Sequence, residues 1–398
     1  MLITIKWKMK YDFLSKIPTD TKKIDYHHKK NIVKCATKII KHFIDYDEVV
    51  TVAEMQSGKT EVMKRLIYLI RTHNDKLRSL NIEIDKYNIY LVLCASSINL
   101  KEQLKIKLPE IKHKIYHLND IINFIKNEYE NESLFLSMSD SSLIIFDECH
   151  CDIECSKTID KFRTILDSYA KDNSTTYYKV GFSATPYEQV VAGFPKAIMK
   201  PGKGYYGIKD MFELNENSKP ILFQAKDLTE TDQVEDFFRE ISIDSWYYIF
   251  RLPGKNSSKE TVINNIINYL RKNRIKFDSY IYDMNYRSNI NDLIKNKPSK
   301  PTIIFIKEKL RLGEYLDTKY IYLVHDDPDN GHTHTTAQSL LGRCCGYHKK
   351  SHQTVIYCDY EKAWEHYQWI INDYDIDYIP TNAKYIKSNK QTKTNCMY

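Results

Sequence analysis

Four unbroken apolar runs punctuate the first half of the chain: EVVTVA (Glu48–Ala53), NIYLVLCA (Asn88–Ala95), SLIIFDE (Ser142–Glu148) and YKVGFSA (Tyr178–Ala184). None of them alternates apolar with polar residues. Runs of this kind predict strands buried on both faces, as in a parallel sheet covered by helices. Between them, TEVMKRLIYLIRTH and NDIINFIKNEY repeat their apolar positions at helical spacing. A second series starts near Ser245 with SWYYIFRL, continues through the helix-like KETVINNIINYLRKNR, and adds FDSYIYD, PTIIFIK, KYIYLVHD and TVIYCD. Strand and helix alternate again, which predicts a second α/β layer structure.

The stretch from Pro186 to Asp232 is less periodic and richer in glycine and proline, so it is expected to carry the junction. The expected organisation is an extension over 1–25, a first domain over 26–232, a second over 233–378, and a polar, lysine-rich tail over 379–398 that is expected to be disordered. The expected fold class is α/β, with two mostly parallel sheets flanked by helices in tandem. A length of 398 residues suits two ordinary domains. No fixed-period repeat occurs.

Composition narrows the class. No stretch approaches the ~20 apolar residues that span a bilayer, so no membrane partner is expected. The N-terminus is interrupted by lysines and has no small-residue cleavage site, so no secretory signal is read. Nine cysteines, an odd number without a regular framework, then fit a reducing intracellular compartment. A net charge of +7 fits a polyanionic partner, and it fits equally the Lys, Ile, Asn and Tyr bias of a very AT-rich genome. The same bias devalues the 31 tyrosines as base-stacking signals. It makes glycine informative: of only 11, Gly58, Gly181, Gly313, Gly342 and Gly346 fall in the short stretches that carry chemistry.

The first such stretch is AEMQSGKT, Ala53–Thr60, which follows a strand and opens a helix. That is the context of a phosphate loop. Backbone N–H groups around Gln56, Ser57 and Gly58 and the helix N-terminus would cradle the phosphates of ATP. Lys59 would reach the β- and γ-phosphates, the Thr60 hydroxyl would bind Mg²⁺, and Gly58 would let the backbone come close. The second stretch is IIFDECH, where the four apolar residues Leu143–Phe146 deliver Asp147 and Glu148 to a strand end, at which open α/β sheets bind ligands. Asp147 would hold Mg²⁺, directly or through water, and Glu148 would orient and deprotonate an attacking water. Cys149, His150, Cys151 and Cys155 crowd the same stretch. They lack a CxxC pair and a second nearby Cys/His cluster, so no zinc site is expected. The third stretch, GFSATP (Gly181–Pro186), closes a strand with small hydroxyl residues.

In this order, AEMQSGKT, FDECH, FSATP and QSLLGRCCGY resemble the motifs of the superfamily 2 helicases of the DExH type, over most of the chain from about Tyr26 to Asp359. The resemblance implies two RecA-like domains with ATP and Mg²⁺ between them and nucleic acid lying across both. It implies that Ser183 and Thr185, with Gln338, couple hydrolysis to domain movement. It makes LCASSINLKEQ a segment touching the nucleic-acid backbone, with Ser96, Ser97 and Gln103 as candidates. It makes KEKLRLGEYL (Lys307–Leu316) a contact to both nucleic acid and nucleotide, with Arg311 on the former and Gly313 on the latter. Arg343 takes the arginine-finger position, reaching the γ-phosphate from the second domain.

Four features depart from the family pattern. Gln56 stands where a glycine is common in the phosphate loop. No glutamine precedes Gln56, so no adenine-reading glutamine is seen upstream. Ser339 and Gly346 occupy places usually held by Gln or His and by a second arginine, and Gln338 lies one residue early. GRCCGY is similar to viral, phage and mobile-element branches, which for a viral chain implies the host cytoplasm or nucleus.

The leading reading is an ATP-driven helicase or translocase, with DNA slightly favoured over RNA as the polymer. A second is a non-unwinding ATPase module that powers a protein partner such as a nuclease. A third, a nucleotidase unrelated to nucleic acid, fits the Ser-Ala-Thr and Gly-Arg motifs poorly.

Overall fold

The structure, a computed structural model, describes residues 26–94, 98–126, 141–149, 153–217, 220–254, 256–286, 288–310, 315–327, 333–347 and 354–381. The apolar runs form the strands they predict. In the first sheet these are β1 (Glu48–Ala53), β2 (Ile89–Leu93), β4 (Ser142–Asp147) and β5 (Tyr177–Ser183), joined by the short β3 (Ile115–His117) and β6 (Lys196–Met199). Their order is β3-β2-β4-β5-β1-β6 and all pairs are parallel. The second sheet has β7 (Leu222–Gln224), β8 (Tyr247–Arg251), β9 (Asp278–Tyr282), β10 (Thr302–Ile306), β11 (Ile321–His325) and β12 (Val355–Cys358), in the order β7-β12-β11-β8-β10-β9. Its pairs are parallel as well. The chain is therefore α/β, with two parallel sheets flanked by helices in tandem, as expected above.

The unbroken apolar runs are explained by coverage on both sides. Alternate residues of β1, β2, β4 and β5 divide between two clusters. Val49, Leu91, Ile145 and Val180 face the helices Tyr26–His42 and Lys59–Thr72. Val50, Val52, Val92 and Phe146 belong to an apolar cluster that continues into Ile249, Ile304 and Ile306 of the second sheet. The two halves thus share a core. The outer face of the second sheet packs Tyr248, Phe250 and Phe305 against the helices Thr231–Glu240 and Asn256–Lys272. Arg163, on the helix Ile153–Asp172, pins that helix to the first sheet by an ion pair to Glu48 at 3.0 Å, and its guanidinium lies over the Phe146 ring.

Parallel register sets the location of the chemistry. Asp147 pairs with Phe182 across β4 and β5, and Ser183 pairs with Val52 across β5 and β1. The ladder carries on past the strand end, since the Cys149 N–H donates to the Phe182 carbonyl at 3.2 Å. The carboxyl ends of β4, β5 and β1 therefore stand side by side, and they carry the acidic pair, the Ser-Ala-Thr motif and the phosphate loop. Among the described residues no helix is long and apolar enough to cross a membrane.

Candidate active site

The stretch Ala53–Thr60, the candidate phosphate loop, turns through two left-handed residues, Gln56 at φ 56° and Gly58 at φ 115°. Glycine suits this region, and a side chain there costs about 1–2 kcal/mol. Gln56 nevertheless stands in the loop, and its side-chain amide donates to the Arg343 carbonyl at 3.3 Å. Gly58 has no such latitude, because a Cβ there would lie 2.9 Å from the imidazole of His28. The helix Lys59–Thr72 starts directly after Gly58, with no side chain capping its first turn. The Ser57 hydroxyl is buried and has no hydrogen-bond partner among the described residues. An uncapped helix N-terminus beside an orphaned buried hydroxyl fits the oxygens of a phosphate.

Beyond the end of β4, Glu148 also adopts a left-handed conformation, φ 55°. Its backbone N–H donates to Asp147 Oδ1 at 3.1 Å. Its side chain forms an ion pair with Lys59, which ties the phosphate loop to the acidic strand end. Asp147 is buried, and its carboxyl is raised to about 7, first by burial and then by the neighbouring Glu148 carboxylate. Two adjacent carboxylates in so dry a place form a donor set that suits a divalent cation, and Thr60 opens the neighbouring helix. Cys149 packs its sulfur against Gly181, where a Cβ would lie 2.8 Å away, and burial pushes its thiol up. Among the described residues no cluster of three or more His, Cys, Asp or Glu side chains is placed to hold a metal. His150 and Cys151 lie outside the described residues, as does the side chain of Cys155.

The second half meets this site through the helices Thr333–Gln338 and Leu340–Arg343. The Gln338 amide donates to the Thr185 hydroxyl, and the Thr185 N–H donates to Ser183 Oγ at 2.9 Å. Gln338 Oε1 is buried without a hydrogen-bond partner among the described residues. Arg343 is 1% exposed, and its guanidinium donates to the Gln338 carbonyl at 3.1 Å. Gly342 lets this helix touch the phosphate loop: a Cβ there would lie 3.0 Å from Met55 Cγ. Thus Lys59, Asp147, Glu148, Ser183, Thr185, Gln338 and Arg343 gather around one phosphate loop. Gln103 is half-buried on the helix Ile98–Lys107, which follows β2. Ser96, Ser97, Arg311 and Gly313 lie outside the described residues.

The structure adds residues that sequence reasoning passed over. The Tyr347 hydroxyl lies 2.7 Å from His28 Nδ1, accepts from the Gly202 N–H at 2.7 Å and donates to the Ser57 carbonyl at 3.4 Å. It thereby joins the second half to the phosphate loop. Tyr347 closes the quoted GRCCGY stretch, but among 31 tyrosines nothing singled it out. Arg251 and Asp326 end apolar strands in the second half; a charged residue at such a position was the available signal.

No protein-family model matches the chain. Among solved structures, the crystal structure of the E. coli DExH-box NTPase HrpB is similar, with a TM-score of 0.46 and 13% sequence identity. The match covers 84% of this chain and 41% of that one, so the chain spans less than half the length of the structure it matches.

Proposed function

We propose that this chain is a nucleic-acid-stimulated ATPase that works as a helicase or translocase. The observation that carries this reading is the joint closure of both halves on one phosphate loop: Gln338 bonded to Thr185, and the Arg343 backbone bonded to Gln56. A nucleotidase needs one such half; two halves joined at the nucleotide can convert its loss into relative movement.

ATP would sit with its phosphates on the turn Gln56–Gly58 and the first turn of the following helix. Lys59 and Glu148 form an ion pair. The triphosphate's charge competes for Lys59, and Glu148 then becomes the acceptor for the proton of an attacking water. Thr60 and Asp147 are the residues that would hold Mg²⁺, which when bound neutralises charge on the β- and γ-phosphates. Arg343 would supply positive charge from the second half as the γ-phosphoryl group departs. The Gln338–Thr185 contact would break and re-form as the cleft opens and closes.

The test is phosphate release from ATP without polymer, with single-stranded DNA and with single-stranded RNA, at low salt. Stimulation by one polymer is expected, with Lys59→Ala and Glu148→Gln lowering the rate by about 10²–10⁴-fold. Hydrolysis indifferent to both polymers would remove the motor reading. Stimulation without strand separation on a tailed duplex would favour the module that powers a partner.

A further inference from the structure

Arg251 and Asp326 take no part in the site as drawn above, yet they form a dense buried polar knot behind it. β8 and β11 are neighbours, with His325 opposite Phe250, so the residues that follow, Asp326 and Arg251, emerge side by side. Arg251 Nε donates to Asp326 Oδ1 at 2.9 Å. The other two guanidinium nitrogens donate to the carbonyls of Lys309 and Leu310 at 3.1 and 3.0 Å. Asp326 is fully buried, and its carboxylate accepts more than the guanidinium. Oδ1 also accepts from the Ser339 hydroxyl at 2.9 Å and from the Asp327 N–H at 3.2 Å, and Oδ2 accepts from the Leu340 N–H at 3.0 Å. Ser339 and Leu340 begin the short helix that ends at Arg343, and the Arg343 N–H returns to the Ser339 carbonyl at 3.2 Å.

A buried ion pair is a weak stabiliser compared with well-packed apolar residues of the same volume, and a fully satisfied one serves best as a device of register. Here the register is that of the arginine helix. Its capping residue Ser339 and its first residue Leu340 are held by the two oxygens of a carboxylate, itself held by a guanidinium that also grips two backbone carbonyls. Four residues span the distance from that grip to the Arg343 side chain.

We infer that Arg251 and Asp326 are positioning residues for Arg343, acting through Ser339 and Leu340. This inference rests on the proposed role of Arg343 in hydrolysis. A misplacement of about 1 Å at a reacting group can lower a rate by about 10²-fold. The carboxylate therefore governs turnover without touching nucleotide.

The experiment compares the full-length protein with Ser339→Ala, Asp326→Asn, Arg343→Ala and the double variant Ser339→Ala/Arg343→Ala. It measures kcat and KM for Mg·ATP at saturating polynucleotide, the stoichiometry of a bound fluorescent ATP analogue, and thermal melting. Asp326→Asn should lower kcat by about 10–100-fold and Ser339→Ala by about 3–10-fold, with KM and binding stoichiometry unchanged. Ser339→Ala removes a single hydroxyl, and so keeps the test open where Asp326→Asn fails to fold. In the Arg343→Ala background Ser339→Ala should cost less than about 2-fold, since both act on one group. Effects of Ser339→Ala and Arg343→Ala that multiply, wild-type kcat in Ser339→Ala, or a kcat loss that tracks lost binding stoichiometry would overturn the positioning role alone. An Arg343→Ala protein as active as wild type, or a wild type without hydrolysis, would overturn the proposed function and this inference with it.

Discussion

At Gly342 one hydrogen atom in place of a methyl group decides how closely the halves meet. A Cβ there would lie 2.3 Å from the Ala337 carbonyl oxygen, which is backbone and cannot swing away, and 3.0 Å from Met55 in the phosphate loop. Gly342→Ala must therefore displace the arginine helix or the turn before it. The expected result is a stability loss of about 1–3 kcal/mol in urea unfolding, together with reduced ATP turnover; unchanged values in both would mean that the helix packs elsewhere in solution. The same scale shows what a sequence can carry. Lys59, Asp147, Glu148, Thr185 and Arg343 were legible because each lies in a short motif whose chain context fixes its surroundings. Asp326, Arg251, His28 and Tyr347 were not. Tyr347 and His28 meet from 319 residues apart and Arg251 and Asp326 from 75; a charged residue closing an apolar run hints at the second pair, but no local pattern says which residues meet.

At the scale of elements, burial on both faces wrote itself into the central strands as unbroken apolar runs, so these read clearly; the edge strand β9 was read as well, although its Ser279, Tyr280 and Ile281 are exposed. β3, β6 and β7 span only three or four residues each, too few for any period, and appear only once their neighbours are in place. The five-residue helix Tyr187–Val191 was hidden for the same reason. It directly follows the Ser-Ala-Thr motif, and it carries Tyr187 into the helix Tyr360–Ile371 of the second half. There the Tyr187 hydroxyl lies 2.6 Å from His366 Nδ1 and its ring meets Trp369 edge-on, with centroids 4.8 Å apart. This buried contact fastens the Ser-Ala-Thr strand to a helix of the other half. Tyr187→Phe keeps the ring and loses the hydroxyl bond. The expected loss is about 1–2 kcal/mol of unfolding free energy. Urea titration checks it, and wild-type stability would show that the two helices are not joined by this bond in solution.

For the whole molecule, burial takes titratable groups out of water both at the junction of the halves, as with Glu54 and His366, and inside the second half, where His325 lies among Phe237, Phe250 and Tyr357. Glu54 lies between β1 and the phosphate loop. Its carboxyl is raised from 4.5 to about 7, first by burial and then by the Asp210 carboxylate, against the opposing influences of a Tyr374 hydrogen bond and of Lys209. Because its folded value lies above its unfolded one, its contribution is complete below about pH 4.5 and is lost as the pH climbs through about 7. Two and a half pKa units correspond to roughly 3 kcal/mol. Buried His325 and His366 are lowered by burial from 6.5 to about 3 and have the opposite sign: their contribution is present above 6.5 and is lost as the pH falls through about 3. Between about pH 4.5 and 6.5 the two effects therefore oppose each other: Glu54 favours the acid side of that window and the histidines the neutral side. Asp147, raised from 3.8 to about 7, acts in the same sense as Glu54, over about pH 4 to 7. Glu54→Gln keeps the shape and removes the ionisation. Urea midpoints taken from pH 4 to 9 should then show a difference between wild type and variant that changes between about pH 4.5 and 7 and is constant above about 8, with the histidine effect unaltered. Curves that run parallel from pH 4.5 to 7 would mean that Glu54 titrates alike in the folded and unfolded chain, and that water reaches the junction between the sheets.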